Sequence, residues 1–89
     1  MKTKIVLPSV YMNGTGRKQL FEQHHNAYMA VQTAIVALRE SFPHDRDYYI
    51  KGPDVGPQAR REAEARIEAL EKVLGEVAQI WHSLMPETL

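Results

Sequence analysis

Cysteine is absent from this chain, which excludes disulfide staples, thiolate metal ligands and a cysteine nucleophile. An excess of one charge is absent too: 11 Lys and Arg stand against 11 Asp and Glu. That balance removes the basic footprint of a general nucleic-acid or anionic-membrane binder, while leaving room for a local basic pocket. No apolar run approaches the roughly 18 residues of a membrane span. Lys2 and Lys4 precede Ile5-Val6-Leu7 in the manner of a secretory leader. Pro8 and Ser9 break that run too early for such a leader, and no small-x-small cleavage site follows. The expectation is a cytoplasmic protein without a membrane segment. With 89 residues it forms one domain, 1–89. A chain of this length buries only about two thirds of the surface its unfolded form exposes, so self-association is expected to supplement a small core.

What is present divides into four segments. Ile5, Leu7, Ser9 and Tyr11 alternate with Val6, Pro8, Val10 and Met12, which predicts one short strand. Pro8 donates no backbone hydrogen bond, so this would be an edge strand or one added to a partner chain. Asn13-Gly14-Thr15-Gly16 is a turn cluster with Thr15 as the expected helix N-cap, completing a strand-and-turn segment over 1–15. Over 16–42, Phe21, His24, Tyr28, Val31, Ile35, Leu38 and Phe42 recur at spacings of three and four, widened by Leu20, Ala27 and Ala34. This predicts an amphipathic helix of roughly 25 residues, about 37 Å long, ended by Pro43. A connection over 43–56 leads to a second helix over 57–85, with Pro57 at its first position and Pro86 beyond its end. Its apolar stripe is Ala63, Ile67, Leu70, Leu74, Val77, Trp81 and Leu84, broadened by Val73 and Ile80. Arg60 with Glu64 and Glu68 with Lys72 are expected ion pairs on its solvated face. Gly75 is either a close helix approach or an exposed neutral glycine.

The fold class is therefore mainly α, an antiparallel two-helix hairpin with a short N-terminal strand. Each stripe is wider than one partner helix can cover, which points to a homo-oligomeric helical bundle, a dimer or higher.

Two segments could bind a ligand. In the first, Tyr11, Asn13, Gly14, Thr15, Gly16 and Arg17 precede or begin a helix whose unpaired N–H groups suit an anion, with Lys18 adding charge. The spacing of a Walker A loop is missing. Arg and Lys fit the dipole of a first turn poorly, which makes their placement informative; the plainer reading is a capped helix start with solvated charges. The second segment is the connection, about 14 residues long, where loops are functional or disordered. Tyr48, Tyr49 and Ile50 offer surface to bury, and Arg46 beside the tyrosines could stack on and pair with a planar phosphorylated ligand. The plainer reading has the tyrosines capping the bundle while Asp45 and Asp47 pair with Arg46. A hairpin sets the two segments at opposite ends, so only an antiparallel neighbour could join them into one inter-subunit pocket.

Metal and catalytic chemistry find little support. His24 and His25 point about 100° apart on a helix and cannot grip one ion together, and His25, His44 and His82 lack partners at ligand spacing. His24 reads as a hydrogen-bonded residue of the apolar stripe. Ser9, Ser41 and Ser83 sit in no nucleophile elbow. No cofactor, no metal and no enzymatic activity are expected. Arg60, Arg61 and Arg66 could touch DNA, but Glu62, Glu64 and Glu68 neutralise that face. Trp81 is expected in the core near the start of the first helix.

The succession of an N-terminal apolar segment, Asn13-Gly14-Thr15, a helix carrying Tyr28, then Asp45-Arg46-Asp47-Tyr48-Tyr49 and a charged second helix resembles small proteins of tailed phages and prophages. The hairpin build is similar to phage anti-defence sponges, the anti-CBASS and Thoeris anti-defence proteins. That resemblance implies homo-oligomers that sequester cyclic nucleotide signals of bacterial immunity; it is architectural and transfers no individual residue. The combined expectation is a non-enzymatic phage-type protein binding an anionic, nucleotide-like ligand between subunits. Tyr11, Tyr48 and Tyr49 would stack, the backbone from Asn13 to Gly16 would meet phosphate, and Arg17 and Arg46 would add charge. The alternative is a protein-interaction adaptor or inhibitor using a helix face or the Tyr-rich loop.

Overall fold

The computed structural model describes residues 4–10 and 16–85. Helix α1 spans Arg17–Glu40 and helix α2 spans Val55–Ser83. They form an antiparallel hairpin: Phe21 near the start of α1 packs on Trp81 near the end of α2, and Arg39 near the end of α1 pairs with Glu71. No helix among the described residues is long and apolar enough to cross a membrane.

The helix ends follow local rules, with differences from the sequence reading. Gly16, not Thr15, is the N-cap of α1; its φ of −65° and ψ of 155° are ordinary extended values, so its special freedom is unused. Thr15 itself lies outside the described residues. α1 stops at Glu40, two residues short of the expected end, where the Ser41 hydroxyl donates to the Leu38 carbonyl (3.0 Å) and Phe42 is held out of the helix by Pro43. α2 begins two residues before Pro57, which occupies the third helical position rather than the first. That is permitted because the N–H groups of a helix's first turn have no intrahelical acceptor.

The strand expected near the N-terminus is not formed. Lys4 to Val10 are irregular, and no strand exists among the described residues for them to pair with. A single segment cannot satisfy a ladder alone. Part of it lies beside α2 instead: Lys4, Ile5 and Leu7 line a groove of about 750 Å³ with Gly75, Ala78, Gln79 and His82.

The hairpin core is thin. Ile35, Ala63, Ile67 and Leu84 are its buried apolar residues among those described, while Met29, Val36 and Val73 stand 47%, 51% and 40% exposed. The chain is a rod of 61 × 27 × 26 Å with a radius of gyration of 18.6 Å, where a compact domain of this length would have about 12 Å.

Candidate functional site

The connection between the helices is folded. Asp45–Asp47 and Tyr49–Lys51 each make a short 3-10 turn, closed by Tyr48 N–H to the Asp45 carbonyl (2.9 Å) and Gly52 N–H to the Tyr49 carbonyl (3.1 Å). Gly52 then turns the chain into α2 at φ 135° and ψ 160°, a region essentially reserved for glycine. The turns are tied to α2 by Arg60, whose guanidinium donates to the Asp45 carboxylate. Gly56 is buried beneath that pair, and a Cβ placed there would lie 2.5 Å from the Asp45 carboxylate oxygen. A side chain at position 56 would push the carboxylate aside, while the Asp45 backbone, 3.6 Å from that Cβ, would stay in ordinary contact.

This anchoring corrects two expected pairings. Asp45 goes to Arg60 rather than to Arg46, and Arg60 goes to Asp45 rather than to Glu64. Among the described residues, α2 keeps one ion pair at i,i+4, Arg66 with Glu62 at 3.9 Å, and Glu68 has no bridge to Lys72. Arg46 is exposed and in no ion pair among the described residues. Beside it Tyr48 is half-buried, Tyr49 is 68% exposed and Ile50 is 86% exposed. The cleft below them, lined by Asp45, Tyr49, Gly52, Pro53, Gly56 and Pro57, encloses about 190 Å³. Ligand pockets for small molecules run from roughly 300 to 1,000 Å³, so this end of one chain cannot enclose a nucleotide alone.

The other half of the expected site begins α1. Arg17 is exposed in the first turn, and no acidic residue shares that turn. Tyr11, Asn13, Gly14 and Thr15 lie outside the described residues. The 24 residues of α1 separate Gly16 and Arg17 from Arg46 and Tyr49 by about 36 Å. One chain therefore does not bring the two halves together.

At the far end Trp81 packs near the start of α1 as the sequence led one to expect, in an aromatic cluster of which sequence reasoning missed His25. Trp81 is surrounded by Phe21, His25 and Tyr28 of α1 at centroid distances of 5.7, 5.1 and 5.2 Å, and by His82 at 5.7 Å. His25, placed off the stripe in the sequence reading, is thus part of the packing, and the Phe21-His25-Tyr28 spacing of four and three carried that signal. His24 behaves as expected: its Nδ1 lies 2.9 Å from the Leu20 carbonyl, which can only accept, so Nδ1 carries the proton. The Trp81 indole N–H is buried without an acceptor among the described residues. Gly75 is exposed with open space around it, which settles against a close helix approach there.

Two grooves flank the hairpin on one side. Besides the 750 Å³ groove at Gly75, a second of about 510 Å³ is lined by Arg39, Phe42, Glu64, Ile67, Glu68 and Glu71 and is too acidic to attract an anion. No three His, Asp or Glu side chains among the described residues converge to hold a metal ion. Comparison with protein-family models, curated proteins and solved structures returns no match to this chain.

Proposed function

We propose that this chain is a self-associating, non-enzymatic binding protein of phage type that takes an anionic, nucleotide-like ligand at pockets shared between subunits, in the manner of an anti-defence sponge. The observation that carries the reading is the fate of the loop charges. Asp45 is engaged by Arg60, which leaves the Arg46 guanidinium without a partner among the described residues, three positions from the exposed Tyr49 on the next of two folded turns. A cation and an aromatic ring presented by one short connection suit a phosphate joined to a planar base. The cleft there is too small for a whole nucleotide, so a second chain would supply the remaining wall, with Gly16 and Arg17 at its helix start. Tyr11, Asn13, Gly14 and Thr15 belong to this proposal by sequence, and Tyr48 by position.

Isothermal titration with a panel of cyclic di- and trinucleotides tests it. Binding by the wild type that Arg46→Ala and Tyr49→Ala each weaken at least tenfold, with unchanged helicity, is the expected result. Lys4→Ala and His82→Ala, in the larger groove beside Gly75, should leave affinity unchanged. Loss of binding in that second pair alone would move the site away from the loop, and wild-type affinity in all four variants would end the proposal.

A protein-interaction adaptor is the second reading, favoured by Ile50, an 86%-exposed isoleucine beside Tyr49. Such an apolar pair on a turn is the composition of an interface anchor. It predicts no nucleotide binding, and loss of partner capture in Ile50→Ser.

A further inference from the structure

We propose that the groove beside Gly75 binds an anionic amphiphile, a carboxylate on an acyl chain of medium length, with the chain over Gly75 and the carboxylate at Lys4 and His82. This site is separate from the loop and does not depend on the reading given for it.

The groove has the size of a ligand site and two walls that no hydrogen bond joins. Its volume of about 750 Å³ falls within the roughly 300–1,000 Å³ of small-molecule pockets. Ile5 and Leu7 form one wall, Ala78 and Gly75 the other. Among the described residues no hydrogen bond ties the segment from Lys4 to Val10 to α2. An acyl chain laid between the walls removes apolar surface of both from water at once.

Gly75 is the second observation. It stands in the interior of α2, where glycine is the poorest helix former after proline. Packing gives no reason for it, because a Cβ built there meets no atom within 4 Å. What the position does is line the groove, and the missing side chain leaves the helix backbone open to close approach by a ligand.

Charge names the class. Lys4 and His82 are the ionisable residues that line the groove; no carboxylate does, and Lys4 is in no ion pair among the described residues. The antiparallel packing also brings the start of α1, with Arg17 and Lys18 and no acidic residue in its first turn, to this end of the hairpin. The positive end of the α1 dipole thus accompanies the negative end of α2. From Gly75 to His82 the helix rises about 10 Å, the reach of a decanoyl chain. Beyond Gly75 the same side of α2 carries Glu71, Glu68 and Glu64, which would repel a carboxylate, so the head lies at His82 and the tail at Gly75.

Trp81 is the one tryptophan of the chain and its ring lies 5.7 Å from that of His82, so its fluorescence reports occupancy. The full chain titrated with decanoate below its micelle concentration should show a saturable change, with one ligand per chain by isothermal titration. Gly75→Leu fills the groove with a better helix former; circular dichroism should show the helices intact while decanoate binding weakens at least tenfold. Lys4→Glu should weaken decanoate at least tenfold and leave decanol unchanged. Decyltrimethylammonium, the same chain with the opposite charge, should bind the wild type at least tenfold more weakly than decanoate. Arg46→Ala should bind decanoate as the wild type does, which separates this groove from the loop. Absence of saturable decanoate binding by the wild type, or unchanged affinity in Gly75→Leu, overturns the site. Equal affinity for the ammonium, or for decanoate in Lys4→Glu, overturns the anionic class.

Discussion

Arg60 reaches back from the second turn of α2 to the Asp45 carboxylate, and the pair closes over Gly56, whose missing side chain is the condition for that approach. The two glycines of α2 should therefore respond in opposite ways to the same substitution. Gly75→Ala meets open space and should raise stability by about 0.5–1 kcal/mol through helix propensity. Gly56→Ala must displace the Asp45 carboxylate and should lower stability by about 1 kcal/mol despite the same propensity gain. Urea unfolding of both variants checks the sign. In an Asp45→Ala background the penalty at position 56 should disappear; its persistence would show that backbone, not the carboxylate, is the obstacle.

Gly52 is the hinge on which the loop enters α2. Its φ of 135° with ψ of 160° is open to no other residue without strain, so Gly52→Ala should cost about 1–3 kcal/mol. In a domain this small each kcal/mol is a fall of about 4–8 °C in Tm, which differential scanning calorimetry resolves.

Trp81 joins Phe21, His25 and Tyr28 across the hairpin and is the one tryptophan of the chain. Truncation to alanine should cost about 3–5 kcal/mol. Phenylalanine keeps an aromatic ring against the cluster and removes a buried N–H that has no acceptor among the described residues, so Trp81→Phe should cost under about half as much. Chemical denaturation followed by circular dichroism compares the two.

Arg46 and Tyr49 are exposed, and replacing either by alanine should change stability by no more than about 0.5 kcal/mol. Thermal melts of both variants check this. Their ligand-binding phenotypes then report the site and not the fold.

If self-association stabilises the thin core, Tm must depend on protein concentration by mass action. Over a hundredfold dilution the midpoint should fall by several degrees, and a midpoint constant over that range would identify a self-sufficient monomer.

The hairpin was legible because its determinants are local. The period of three and four placed Tyr28, Ile35, Ala63, Ile67 and Leu84 on the covered sides of their helices, and Ile35, Ala63, Ile67 and Leu84 are buried. At the loop the sequence offered Arg46 and Tyr49 as candidate residues, and both are exposed; the partner of Asp45 was not legible. Neighbours in sequence suggested Arg46, whereas Arg60 lies fifteen residues away and is brought near only by the direction in which α2 leaves Gly52. His25 was overlooked because a stripe drawn through His24 leaves out the position that actually faces Trp81, and the two readings differ by a rotation of one residue.

Periodicity, the prolines at positions 43 and 57 and the turn glycines determined by themselves that this protein is two amphipathic helices joined by a connection of about 14 residues, whose folding into two short turns only the tertiary structure showed. Each of those signals acts within a few residues and needs no partner. The tertiary structure decided the rotation and register of one helix on the other. That setting chose Asp45 for Arg60 and Glu71 for Arg39 and packed Phe21, His25 and Tyr28 on Trp81. Such choices depend on side-chain packing summed along two helices at once, a quantity that no short window of sequence contains.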